Sequence, residues 1–167
     1  MNTEHTYPKD TGGLPPEIAE AFAGVVRFRD VRPSWQQGGG GDDARSIPLF
    51  KYTDKADSDF AGGTPAKLTS REIRLTTGVL APGEGARFHS HTTEELMFAA
   101  SGSWIVFFDE QEKYKVHLEP MDAILVPANL KRGWRNVGST IGCFLNISSV
   151  HDEMAVASCT VDPAERG

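Results

Sequence analysis

His89 and His91 stand two residues apart, and Glu95 follows four residues after the second. In an extended strand the side chains at i and i+2 leave on the same face, so a strand through this segment projects both imidazoles together. Neutral imidazoles with one carboxylate form the ligand set of many first-row metal sites. Two histidines and one carboxylate with coordination positions left open is the pattern of non-haem Fe2+ oxygenases. Zn2+, Mn2+ and Ni2+ accept the same donors, so affinity order alone does not choose among them. The alternative is a hydrogen-bonded polar cluster without metal.

Such a site needs a β framework, and the sequence supplies one. From Arg71 onward, short strand-like segments alternate with turn residues: Arg71 to Leu80, Arg87 to His91, Glu95 to Ala100, Trp104 to Phe108, Tyr114 to Leu118, Ala123 to Val126, Lys131 to Asn136, Ile141 to Ser149 and Glu153 to Thr160. Many short strands at even spacing indicate a sandwich or barrel. In the first of them Ile73, Leu75, Thr77 and Val79 share one side. Upstream, Leu14 to Phe22 reads as a short helix opened by prolines, with Ile18 and Phe22 as its buried edge. Val25 to Val31 reads as a strand and Ile47 to Tyr52 as another. Gln36 to Asp43, with four consecutive glycines, is expected to be a mobile loop without regular structure. The expected organisation is an N-terminal extension over residues 1–65, a barrel over 66–160 and a tail over 161–167.

The fixed positions of the central stretch are Gly83-x5-His89-x-His91-x3-Glu95-x6-Gly102. This resembles the first motif of the cupin superfamily at all five positions. The second cupin motif, Gly-x5-Pro-x-Gly-x2-His-x3-Asn, falls in register with Met121 to Asn136. Pro127 and Asn136 match it. Met121 and Asn129 stand where glycines are usual, and Arg132 stands where the third histidine belongs. The resemblance spans roughly Glu72 to Val150. It implies an all-β, cupin-like antiparallel barrel, a double-stranded β-helix or jelly roll, present once because no internal repeat is found. It also points to a homodimer, which would protect exposed strand edges.

Arg132 is the informative departure, because a guanidinium cannot deprotonate and so cannot be a ligand. Three arrangements are open to it: pairing with Glu95 in competition with metal, holding a substrate carboxylate bidentately, or facing solvent through a shifted register. Glu94 should point outward, Trp134 should fill core, and Asn136 should serve a turn. His117 and His151 lie outside the motif. Cys143 reads as a small core residue, and with Cys159 as a free thiol of a reducing cytoplasm.

A chain of 167 residues with 39% hydrophobic content suits one domain with a full core. A net charge of −6 argues against nucleic acid or an anionic membrane as partner. No apolar run approaches the roughly 20 residues of a membrane span, and no signal-peptide pattern opens the chain. A cytoplasmic location is expected. What the resemblance and the ligand set imply together is a metal-dependent enzyme of the cupin dioxygenase type acting on a small acidic substrate. In that reading His89, His91 and Glu95 hold a divalent metal, Fe2+ favoured, and Arg132 is the catalytic residue that orients the substrate. The alternatives are a metal-free or Zn-type isomerase or epimerase, and a non-catalytic small-molecule sensor.

Overall fold

The computed structural model describes residues 13–37 and 46–156. Two sheets pack face to face. The larger is built from β1 (Pro33–Gln37), β2 (Ser46–Asp54), β3 (Leu68–Thr69), β4 (Ile73–Leu80), β6 (Glu95–Ser101), β9 (Ala123–Val126) and β11 (Gly142–Ser149). Their order is β1-β2-β4-β11-β6-β9, with the short β3 added parallel to β2. The smaller sheet runs β12-β5-β10-β7-β8, from Met154–Val156, Gly85–His91, Arg132–Asn136, Trp104–Phe107 and Lys115–Leu118. Every other pairing is antiparallel. The chain is the antiparallel jelly roll that the motif resemblance implied.

One end of the space between the sheets is apolar. Leu80, Met97, Val106 and Val126 surround a nucleus of three rings. Trp104 stacks on Phe144 at 4.6 Å and meets Trp134 edge-on at 5.8 Å. The Trp104 indole N–H donates to Ser101 O at 2.8 Å, so the buried ring leaves no polar atom unmet. Asn136 is fully buried at a turn, donating to Leu80 O and Thr140 O and accepting from Gly138 N–H. That is the structural part expected of it.

The motif glycines Gly83 and Gly102 have φ of 84° and 82°, a region costly to side chains. The two positions where the second motif lacks its glycines adopt the same left-handed backbone. Met121 has φ 78° and Asn129 φ 64°. The turn geometry is therefore retained while the residue changes, and Asn tolerates it better than Met. Met121 is 71% exposed, so its side chain contributes little packing. Replacing Met121 by Gly should relieve the strain and stabilise the protein by about 0.5–1 kcal/mol after the entropy cost of glycine. A thermal melt should rise by roughly 2–4 °C; a lower midpoint would mean that the turn is not strained.

Four expectations are corrected. The segment Val25 to Val31 is not a strand: Phe28–Asp30 forms a 3-10 turn, with Phe28 against Phe50 at 4.8 Å. The helix α1 (Pro16–Ala23) exists, but Ile18 and Phe22 are 42% and 40% exposed, so it presents no buried edge to the barrel. Gln36 and Gln37, read as loop, end the unforeseen strand β1, paired with Ile47 and Ser46; the glycines after them lie outside the described residues. In β4 Arg74, Thr76, Gly78 and Leu80 are buried, and of the expected side only Thr77 is, while Ile73 faces out. The pattern misleads there because that part of the barrel interior is polar.

Candidate metal centre

Strand β5 places His89 and His91 on its inner face, 6% and 3% exposed. The turn at Thr92 to Glu94 brings Glu95, first residue of β6, onto the same interior, and Glu94 points outward. One donor atom from each of His89, His91 and Glu95 lies within 4.8 Å of the others. The His91 Nε2 to Glu95 Oε1 distance is 3.8 Å. The three residues singled out by spacing thus converge.

Each imidazole is fixed through its Nδ1. That of His89 bonds Arg87 O at 2.5 Å, and that of His91 bonds the Asp152 carboxylate. Both bonds put a proton on Nδ1, so in the neutral imidazole the lone pair falls on Nε2. Asp152 is itself gripped. Its Oδ1 accepts from Thr93 N–H at 3.1 Å and from the Thr93 hydroxyl at 3.2 Å, and its Oδ2 lies 3.5 Å from Arg74. Arg74 in turn bonds Asp54 at 3.1 Å and Val150 O at 3.3 Å, beneath the Phe60 ring. A carboxylate on the outer nitrogen of a histidine is the usual second layer of a metal site, fixing tautomer and raising ligand basicity.

Arg132 enters the interior on β10, opposite His89 in register, and is fully buried. Its Nη2 donates to Glu95 Oε2 at 2.6 Å and its Nη1 to Leu130 O at 3.3 Å. Of the three arrangements open to it, pairing with Glu95 is the one found. The guanidinium does not line the cavity beside the histidines, so the bidentate hold on an acidic substrate expected of Arg132 is displaced by this contact.

The donor set fits a divalent metal: the Nε2 atoms of His89 and His91 and Glu95 Oε1, with Oε2 held back by Arg132. It is one ligand short of the four-ligand cupin pattern. Burial, foremost, pushes the His89 imidazole down to about 4; its bond to Arg87 O opposes this, and the charge of Arg132 adds to it. His89 is therefore neutral and ligand-competent at pH 7. Burial alone would raise the Asp152 carboxyl, but the hydrogen bonds from His91 and Thr93 hold it below its ordinary value.

These shifts fix a sign. A histidine at 6.5 in the unfolded chain and about 4 in the fold binds its proton more readily when unfolded. Stability is complete above pH 6.5 and falls as pH drops toward 4. The loss attributable to His89 is about 3 kcal/mol, and Asp152 adds a further loss at lower pH as its carboxylate is protonated. Urea unfolding of metal-free protein across pH 4–7 should show this slope, and His89→Asn should flatten it. A slope untouched by that substitution would place the titration elsewhere.

A cavity of about 430 Å3 opens over the His89, His91 and Glu95 side chains. Its floor is Trp134, shared with the core, and its walls include Thr76, Asn146 and Met154. Trp35, Ile47, Leu49 and Phe60 come from the first 65 residues, which thereby complete the site. Sequence reasoning missed Asp152, Arg74, Asp54, Asn146 and Trp35. His151, weighed as a replacement ligand, is exposed, and its neighbour Asp152 reaches the site instead. His117 is exposed and Cys143 half-buried, so neither takes part.

Residues 76–148 match the family model described as the cupin domain. No curated protein matches the chain. Among solved structures, it is similar to the polyketide cyclase RemF from Streptomyces resistomycificus at 17% identity, covering 84% of this chain and 89% of that one with a TM-score of 0.60. It is similar to oxalate decarboxylase from Bacillus subtilis, described with Mn(II) centres, at 17% identity and a TM-score of 0.57. That match covers 79% of this chain but only 31% of the other. At such identities the likeness speaks of fold alone, and it is the fold the two motifs had led us to expect: residues 76–148 are a cupin domain, and the chain has the cupin fold.

Proposed function

We propose that this cupin is a metal-dependent enzyme of the dioxygenase type, in which His89, His91 and Glu95 hold a divalent metal, Fe2+ by preference. The single observation that carries the reading is the convergence of two Nδ1-anchored histidines and one carboxylate at the base of a cavity. A bound Fe2+ supplies a redox-active Lewis acid with open positions for substrate oxygens and O2.

The chain's own residues do the rest. Asp152 holds the His91 proton on Nδ1 and keeps Nε2 aimed inward. The Arg87 carbonyl does the same for His89. Arg132 fixes the rotamer of Glu95 and limits it to one free oxygen. Trp134, Leu49 and Phe60 line the cavity with apolar surface beside the polar groups. Arg132 thus acts through Glu95, as a positioning residue.

A second reading, non-redox chemistry on Zn2+ or Mn2+, is favoured by the mostly apolar cavity and by the likeness to a polyketide cyclase. Elemental analysis of freshly purified protein, with O2 consumption measured under Fe2+ reconstitution, tests both. Iron at near one equivalent per chain supports the oxygenase; zinc or manganese without O2 uptake supports the second reading. No metal under any reconstitution would end both.

A further inference from the structure

We propose that the cavity takes an uncharged, flat aromatic ring system carrying a hydroxyl group, with the ring among Trp35, Phe60 and Trp134 and the hydroxyl on the Asn146 amide. The proposal deepens the reading above by naming a substrate class for the same cavity, and rests on that cavity being the substrate site.

Asn146 carries the argument. It sits on β11 with its side chain inward, only 8% exposed, and it lines the cavity. Its Oδ1 has no hydrogen-bond partner among the described residues and is itself sealed from the cavity, so the amide meets a ligand through its NH2 end or after turning over. A buried amide oxygen left unpaired is costly, and such atoms in native proteins call for an explanation. Thr76 pairs with it across β4 and shares the wall, which gives a small polar patch on the sheet opposite the histidines. A hydroxyl both donates and accepts, so it pairs with either end of the amide.

The rest of the lining sets the remaining chemistry. Three aromatic side chains, with Ile47, Leu49 and Met154, offer ring faces and apolar surface. Aromatic pairs gain from stacked or edge-on geometry beyond their buried area. A volume of about 430 Å3 is within the range of small-molecule pockets. Charge argues against an acid. The Arg132 guanidinium is fully buried on Glu95, and Arg87, also in the lining, is not free. In the metal-free protein a carboxylate entering would be desolvated with no free cation to pair it, at substantial cost.

The test uses the full chain stripped of metal with a chelator, so that the outcome is independent of which metal the site prefers. Calorimetric titration compares 2-naphthol, naphthalene and 2-naphthoate. We expect 2-naphthol to bind about tenfold tighter than either, the worth of one neutral hydrogen bond. Asn146→Leu should bring 2-naphthol down to the naphthalene level and leave naphthalene unchanged. Tightest binding of 2-naphthoate, or equal binding of 2-naphthol and naphthalene, overturns the proposal. So does a hydroxyl preference that survives Asn146→Leu, since the hydroxyl would then sit on the histidines. If Asn146→Leu does not fold, the ranking on the unaltered protein decides alone. Metal content, measured separately, tests the enzyme reading without touching this one.

Discussion

Asp152→Asn should weaken divalent-metal binding by about 10- to 100-fold, the cost usual for losing the partner of a ligating histidine. The His91 Nδ1–H gives its hydrogen bond to the Asp152 carboxylate, and that bond selects the tautomer whose Nε2 lone pair faces the site. A neutral amide polarises the imidazole less, and turned the wrong way it presents a donor to a donor. The fold should survive, because Arg74 keeps its bond to Asp54. Asp54→Asn is the matched control. It weakens the same buried network one link further out, with the His91–Asp152 contact intact, so it should lower stability without changing metal affinity. Competition titration against a chromogenic chelator reads both variants. Equal affinity in the wild type and Asp152→Asn would mean that His91 is not a ligand or that Asp152 does not orient it.

That network marks the boundary of what the sequence could reveal. His89, His91 and Glu95 were legible because local geometry alone brings them together. A strand aligns positions two apart, and a tight turn returns the chain within four residues. Arg132 was legible as a departure from a motif, but which of its three arrangements it takes was not; the structure places it opposite His89. Asp152 and Arg74 carry no such signal. Asp152 meets His91 across 61 residues, and nothing near either residue encodes the pairing. Arg74 was hidden by the alternation in β4, whose apolar side faces outward. Asn146 sits between Leu145 and Ile147 in a strand whose average character is apolar, so an inward polar residue there leaves no trace in the pattern. The barrel core was easier to read because burial there agrees with hydrophobicity. The site was harder, because its interior is charged and charge normally reads as surface.

Arg132→Met should destabilise the metal-free protein by about 3–5 kcal/mol, and added metal should restore most of that loss. The pair of Arg132 with Glu95 is deeply buried, with the arginine side chain fully shielded and the glutamate nearly so. Removing one partner of a buried ion pair leaves an uncompensated charge, which costs that much. Methionine keeps the length and apolar bulk, so lost packing contributes little. The carboxylate left behind is then free at both oxygens beside the Nε2 atoms of His89 and His91, and a divalent cation is the natural replacement for the guanidinium charge. A metal that binds only the folded state stabilises it by about 4 kcal/mol at a thousandfold excess over its Kd. Urea unfolding with and without Mn2+ measures both halves. The wild type should gain less from Mn2+ than the variant, because Arg132 already satisfies Glu95. Arg132→His should go further, raising metal occupancy by supplying the histidine that the second motif normally carries. A variant whose lost stability is indifferent to every divalent metal would show that Glu95 serves the fold through its arginine and is no ligand at all.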